Sequence, residues 1–83
     1  GGAEVKKGKP DPEIYLKAAA MVEVDPADCW VIEDSLQGIS SGLNAGMQVV
    51  GITTSHTATE LAHTHLVAAD FVDLFEKLQA VNA

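Results

Sequence analysis

The chain has a single cysteine, few basic residues and no long apolar run, and each scarcity excludes a class of protein. Cys29 on its own forms no intrachain disulfide. It lies in the apolar run Cys29–Ile32, away from the positive charge and exposure a catalytic thiolate needs, and reads as a small buried hydrophobe. Five basic residues against twelve acidic ones give a formal charge of −7. Nucleic acid and anionic membranes need clustered Lys and Arg, so neither is expected as a partner. The longest wholly apolar run, Ala18–Val22, falls far short of the ~20 residues of a membrane span. The N-terminus lacks the charged and apolar regions of a signal peptide, and a cytoplasmic setting is expected.

What is present is globular in character. Eighty-three residues make one small domain or part of a larger one, and 47% hydrophobic content suits a packed core. No repeat, low-complexity tract or Gly/Ser-rich linker divides the chain. Asp11 followed by Pro12 reads as an N-cap with proline at the first helical position. Ile14, Tyr15, Ala18, Ala19 and Val22 then recur at helical spacing, which predicts a helix over about 12–22. Asp25-Pro26-Ala27-Asp28 is turn chemistry. Cys29–Ile32 reads as a strand covered on both faces. Ser35 can cap a second helix over about 36–45, with Gly46 as its C-terminal stop.

Gly38, Gly42 and Gly46 are spaced by four, but Gln37, Ser40, Ser41 and Asn44 interrupt the apolar surroundings of a membrane dimerisation face. Close approach of a helix to a sheet is the better account. A strand over 49–53, a helix over 57–63, a short strand at Phe71-Val72 and a last helix over about 73–81 complete the reading. This alternation predicts an α/β fold, a Rossmann-like parallel sheet of about three strands with flanking helices. Trp30, Tyr15, Phe71 and Phe75 are expected in the core. Asp70 and Asp73 are expected to flank the third strand and cap the last helix, and the three histidines to lie on the surface.

Two segments carry chemistry. Gly8-Lys9-Pro10-Asp11-Pro12 places a cation on a proline-stiffened loop, and Glu33-Asp34-Ser35 places two carboxylates just past a strand. Ligands of open α/β sheets bind outside the carboxyl ends of the strands. Paired carboxylates there suit Mg²⁺, and a lysine suits a phosphate. Adjacent strand residues point to opposite faces, so both acids reach one ion only if the backbone has turned by Asp34. Asp34 is therefore the better candidate for a direct ligand.

Gly8-Lys9-Pro10-Asp11-Pro12-Glu13-Ile14-Tyr15, Val31-Ile32-Glu33-Asp34-Ser35, Gly38-Ile39 and Ala45-Gly46-Met47 together resemble the C-terminal half of haloacid dehalogenase superfamily hydrolases. The resemblance runs from about Gly2 to Leu78 and is nearest the phosphatase and β-phosphoglucomutase-like group. It implies that Lys9 contacts the phosphoryl group and the nucleophilic aspartate, and that Asp34, with Glu33, holds Mg²⁺. It implies a small phosphorylated metabolite as substrate, hydrolysed or transferred through an aspartyl-phosphate.

One departure from the family pattern is plain. The nucleophile of that family lies in an Asp-x-Asp motif, and no Asp-x-Asp occurs in this sequence. Residues 1–83 are thus expected to be the C-terminal part of such a core domain, without the nucleophile strand or the substrate-selecting cap, and inactive alone. Its expected partner is the missing N-terminal half of that core, or a second copy of itself. The alternative is a non-catalytic relative that binds metal or protein.

Overall fold

The computed structural model describes Gly8 and residues 10–82, with the side chains of 81 and 82 excepted. Helix α1 spans Glu13–Met21. Its N-cap is Pro12 and not Asp11 as expected, although the Asp11 carboxylate accepts a hydrogen bond from the Glu13 N–H at 2.9 Å just ahead of it. At its other end Glu23 adopts a positive φ of 57°, and the Val24 N–H reaches back to the Ala19 carbonyl at 3.0 Å. A 3-10 turn over Pro26–Asp28 then delivers the chain to strand β1, Trp30–Glu33. The strand starts one residue later than its apolar run suggests, because the Cys29 N–H is still held by that turn, at the Pro26 carbonyl.

Helix α2, Leu36–Asn44, begins on Ser35, whose hydroxyl accepts from the Gly38 N–H at 3.0 Å. It ends at Gly46, φ 78°, with the Met47 N–H bonded to the Gly42 carbonyl. That is the glycine-terminated helix end expected of the position. Gly42 also permits close packing, since a Cβ there would stand 2.9 Å from Val49 Cγ2.

Strand β2 spans Gln48–Ile52 and β3 Leu66–Ala68. The sheet runs β1-β2-β3 with every pairing parallel, Val31 against Val49 and Gly51 against Val67. Helix α3, Phe71–Asn82, closes the fold. Side chains alternate across the sheet. Val31 and Val49 join Ala19, Ile39, Met47 and Leu61 on one face, whereas Val50, Ile52 and Ala68 meet Leu74 on the other. The α/β reading and the three-stranded parallel sheet are as expected.

Three local expectations are corrected. Phe71-Val72 is not the third strand. Asp70 caps α3 there, its carboxylate accepting the Asp73 N–H at 2.8 Å, and the strand lies earlier, in Leu66–Ala68. Residues 57–63 form successive turns in place of an α-helix. Thr57 and Glu60 do make a reciprocal capping box. Past that box the chain closes into a tight turn, the Thr64 N–H bonding the Leu61 carbonyl at 3.1 Å while the Thr64 hydroxyl lies within reach of the Leu61 and Leu66 carbonyls. Nor are three of the four aromatics core residues, since Trp30 is 49% exposed, Phe71 68% and Phe75 62%, whereas Tyr15 packs against the core as expected. Helix α3 turns Leu74 and Leu78 to the sheet over β2 and β3, while Trp30 and Ile32 on β1 stay about half exposed.

Candidate functional site

The Glu33–Gly51 pairing keeps Glu33 within the sheet, so Asp34 is the first residue past the carboxyl end of β1. Ser35 turns the backbone at once into α2. The two adjacent carboxylates consequently part company. Glu33 accepts hydrogen bonds from the Tyr15 hydroxyl of α1 and from Ser35 Oγ, the latter at 3.2 Å. It lies over the first turn of α2, where a Cβ on Gly38 would come within 2.2 Å of its Cδ. Burial, then the Glu33 hydrogen bond and charge, push the Tyr15 phenol well above its ordinary range.

Asp34 faces the other way. Its Oδ2 accepts from Ser55 Oγ at 3.0 Å and from Thr54 Oγ1 at 3.3 Å, both from the loop after β2. Beside it opens a cleft of about 230 Å³ lined by Ile32, Glu33, Asp34, Ile52, Thr54 and Phe71. The donors gathered here are all hard oxygens, which suits Mg²⁺ better than zinc or copper. Among the described residues, no group of three or more His, Cys, Asp or Glu is disposed to hold a metal. A magnesium ion at Asp34 would thus complete its shell with water or phosphate oxygens, as that ion commonly does.

Lys9, the expected phosphate contact, lies outside the described residues. Its neighbours are placed. The Asp11 N–H bonds to the Gly8 carbonyl at 3.0 Å, and Asn44 Nδ2 to the Pro10 carbonyl at 3.1 Å, which fastens that loop to the last turn of α2.

Four polar roles escaped the sequence reading. Tyr15 looked like a core position because it shares the apolar stripe of α1. Thr54 and Ser55 follow an apolar run, and hydroxyls at the carboxyl end of a strand were the available signal. His65 is more than a surface histidine, for its Nδ1 accepts the Val49 N–H at 3.0 Å while the His65 backbone N–H bonds the Val49 carbonyl. The ring stands in for a backbone acceptor where β3 begins.

Comparison with known proteins bears on this arrangement. Residues 7–78 match the family model for HAD-hydrolase-like proteins. The chain belongs to that family. It is 61% identical over 46 residues to the β-phosphoglucomutase of Bacillus subtilis (strain 168), a match covering 55% of this chain and 20% of that protein. It is 48% identical over 61 residues to the bifunctional riboflavin kinase/FMN phosphatase of Arabidopsis thaliana, covering 74% of this chain and 16% of that one. The crystal structure of β-phosphoglucomutase from Clostridium difficile superposes with a TM-score of 0.79 at 35% identity, over 93% of this chain and 34% of that chain. A HAD family hydrolase from Deinococcus radiodurans R1, solved with bound phosphate and sodium, gives 0.81 at 31% identity, over 92% and 36%. The HAD-like chain thus spans about a third or less of the length of these relatives.

Proposed function

We propose that this HAD-like chain forms the C-terminal part of a core domain that performs Mg²⁺-dependent phosphoryl transfer on a small phosphate ester, as a phosphatase or phosphomutase. The observation that carries the reading is Asp34: a carboxylate just past the end of a parallel strand, beside a cleft and held by two hydroxyls. Asp34 would hold the ion, with Glu33 adjacent to it. When bound, Mg²⁺ would neutralise charge on the phosphoryl oxygens. Lys9 would contact those oxygens as a point charge, and Tyr15 and Ser35 keep Glu33 oriented. A cytoplasmic setting belongs to the same proposal, on the strength of an acidic chain whose only thiol is unpaired.

The covalent step needs a nucleophilic carboxylate, and the Asp-x-Asp motif that would supply it does not occur in this sequence. The test is complementation. A fragment carrying an Asp-x-Asp strand from a β-phosphoglucomutase-type protein is mixed with the chain and assayed with a chromogenic phosphate ester and Mg²⁺. Turnover is expected from the mixture only, and is lost on Asp34→Ala or Lys9→Ala. Mg²⁺-dependent turnover by the chain alone, abolished by Asp34→Ala, would overturn this division of labour.

The half-exposed β1 favours a second reading, in which the chain acts by binding protein or metal without turnover. Among the described residues β1 is an edge strand, with exposed Trp30 and Ile32 and an apolar groove of about 260 Å³ towards α1. Unprotected apolar edges seek a partner. In this second reading a second copy of the chain takes that place, whereas in the first the N-terminal half of the core domain does. A monomeric mass in light scattering, with Trp30 unperturbed by the complementary fragment, would count against both.

A further inference from the structure

We propose that Thr54 and Ser55 are positioning residues for Asp34, holding one carboxylate oxygen so that the other is turned toward the metal. The inference rests on the reading of Asp34 as the metal ligand. Both hydroxyls donate to the same atom, Oδ2, at 3.3 and 3.0 Å. Among the described residues, no hydrogen bond falls on Oδ1. An exposed aspartate without such partners samples several rotamers, and ordering it when the ion arrives costs side-chain entropy. Two donors already in place remove that freedom beforehand.

The donors come from the loop after β2, whose start is fixed independently of Asp34. Ile52 pairs with Ala68, and the Thr53 N–H extends the ladder to the Ala68 carbonyl at 3.0 Å. The loop that begins at Thr53 is therefore anchored before it reaches across to Asp34. The chemistry of the donors also fits the task. A lysine or arginine at this distance would orient Asp34 too, but would oppose the cation for the same carboxylate. Neutral hydroxyls orient it and leave its charge available. Partners of this kind, one step removed from the ion, commonly govern metal affinity.

The test is an NMR titration of the chain with MgCl₂, following the backbone amides around Asp34, in four proteins. These are the wild type, Asp34→Ala, the double variant Thr54→Val/Ser55→Ala, and the hydroxyl-preserving exchange Thr54→Ser/Ser55→Thr. The double variant is expected to bind Mg²⁺ on the order of tenfold more weakly with its melting temperature unchanged, and the exchange variant to retain wild-type affinity. Should the double variant melt early, Ser55→Ala alone is read in its place, with a smaller loss expected. Wild-type affinity in the double variant, alongside its loss in Asp34→Ala, would overturn the positioning role and leave the metal reading standing. A wild type that does not respond to Mg²⁺, or an Asp34→Ala variant that responds equally, would overturn both.

Discussion

The phenol of Tyr15, on the first helix, donates a hydrogen bond to the carboxylate of Glu33, at the last residue of the first strand. The contact ties α1 to the sheet at the end where Asp34 departs. Burial raises the phenol's pKa first, and the hydrogen bond and charge of Glu33 add to it. Because the folded value lies above the ordinary 10.0, the stability this group contributes is intact below pH 10 and is lost as pH rises through the folded value. Tyr15 is the only tyrosine, so tyrosinate absorbance reports it alone. At pH 10 the native chain should show almost no tyrosinate, and urea should release the signal. A native chain already half ionised at that pH would refute the contact.

Gly38→Ala should destabilise the fold, although alanine is normally the better helix former by ~1 kcal/mol. The new Cβ would lie 2.2 Å from Glu33 Cδ, so the carboxylate must move off Tyr15 and Ser35. A net loss of roughly 1–3 kcal/mol in urea unfolding is expected. In a Glu33→Ala background the obstruction is gone and the same substitution should become neutral or favourable. Equal losses in the two backgrounds would show that Glu33 is not what Gly38 makes room for.

Glu23→Gly should stabilise the chain. Glu23 terminates α1 at φ 57°, a conformation that costs an L-residue roughly 1 kcal/mol and glycine little. After the greater entropy of glycine in the unfolded chain is deducted, a gain of about 0.5 kcal/mol should remain. An unchanged or lowered urea midpoint would count against that terminus.

Acid should weaken the end of the fold that carries α3. The Ala69 N–H, and after it the Lys77 side chain, hold the Asp73 carboxylate below its ordinary 3.8. A depressed folded value means that the unfolded chain binds the proton more readily. The contribution is thus present above pH 3.8 and disappears as pH falls through the folded value. Asp73→Asn should lower the urea midpoint at neutral pH and make its decline in acid shallower than that of the wild type. Parallel curves would exclude Asp73 as a source of the acid sensitivity.

Much of the local structure was legible from short-range chemistry. Ser35 and Asp70 each cap a helix through a side-chain bond to the backbone N–H three residues ahead, and the Asp11 carboxylate takes the Glu13 N–H where α1 begins. Gly46 stops α2 through its own φ. Asp34 was identifiable as a strand-end carboxylate because the apolar run before it and the capping serine after it leave the backbone one course. The segment 57–63 shows where such signals fail. Its capping box forms as written, yet the turns that follow close through i to i−3 backbone bonds, Ala62 to Thr59 and Thr64 to Leu61.

The capping residues, the helical and strand periodicities and the short runs Gly8–Pro12 and Glu33–Ser35 are properties of neighbours along the chain, and the sequence by itself determined them. Tertiary structure decided which partners the two acids take: Tyr15 from a helix 18 residues earlier holds Glu33, and Ser55, 21 residues later, holds Asp34. It also decided that Leu66–Ala68 pairs beside β2, and that Trp30, Phe71 and Phe75 remain exposed. The physical reason is reach. A cap or a glycine acts over a few residues, whereas a strand neighbour, a covered face or a hydrogen bond between separate loops exists only once distant segments have been packed together.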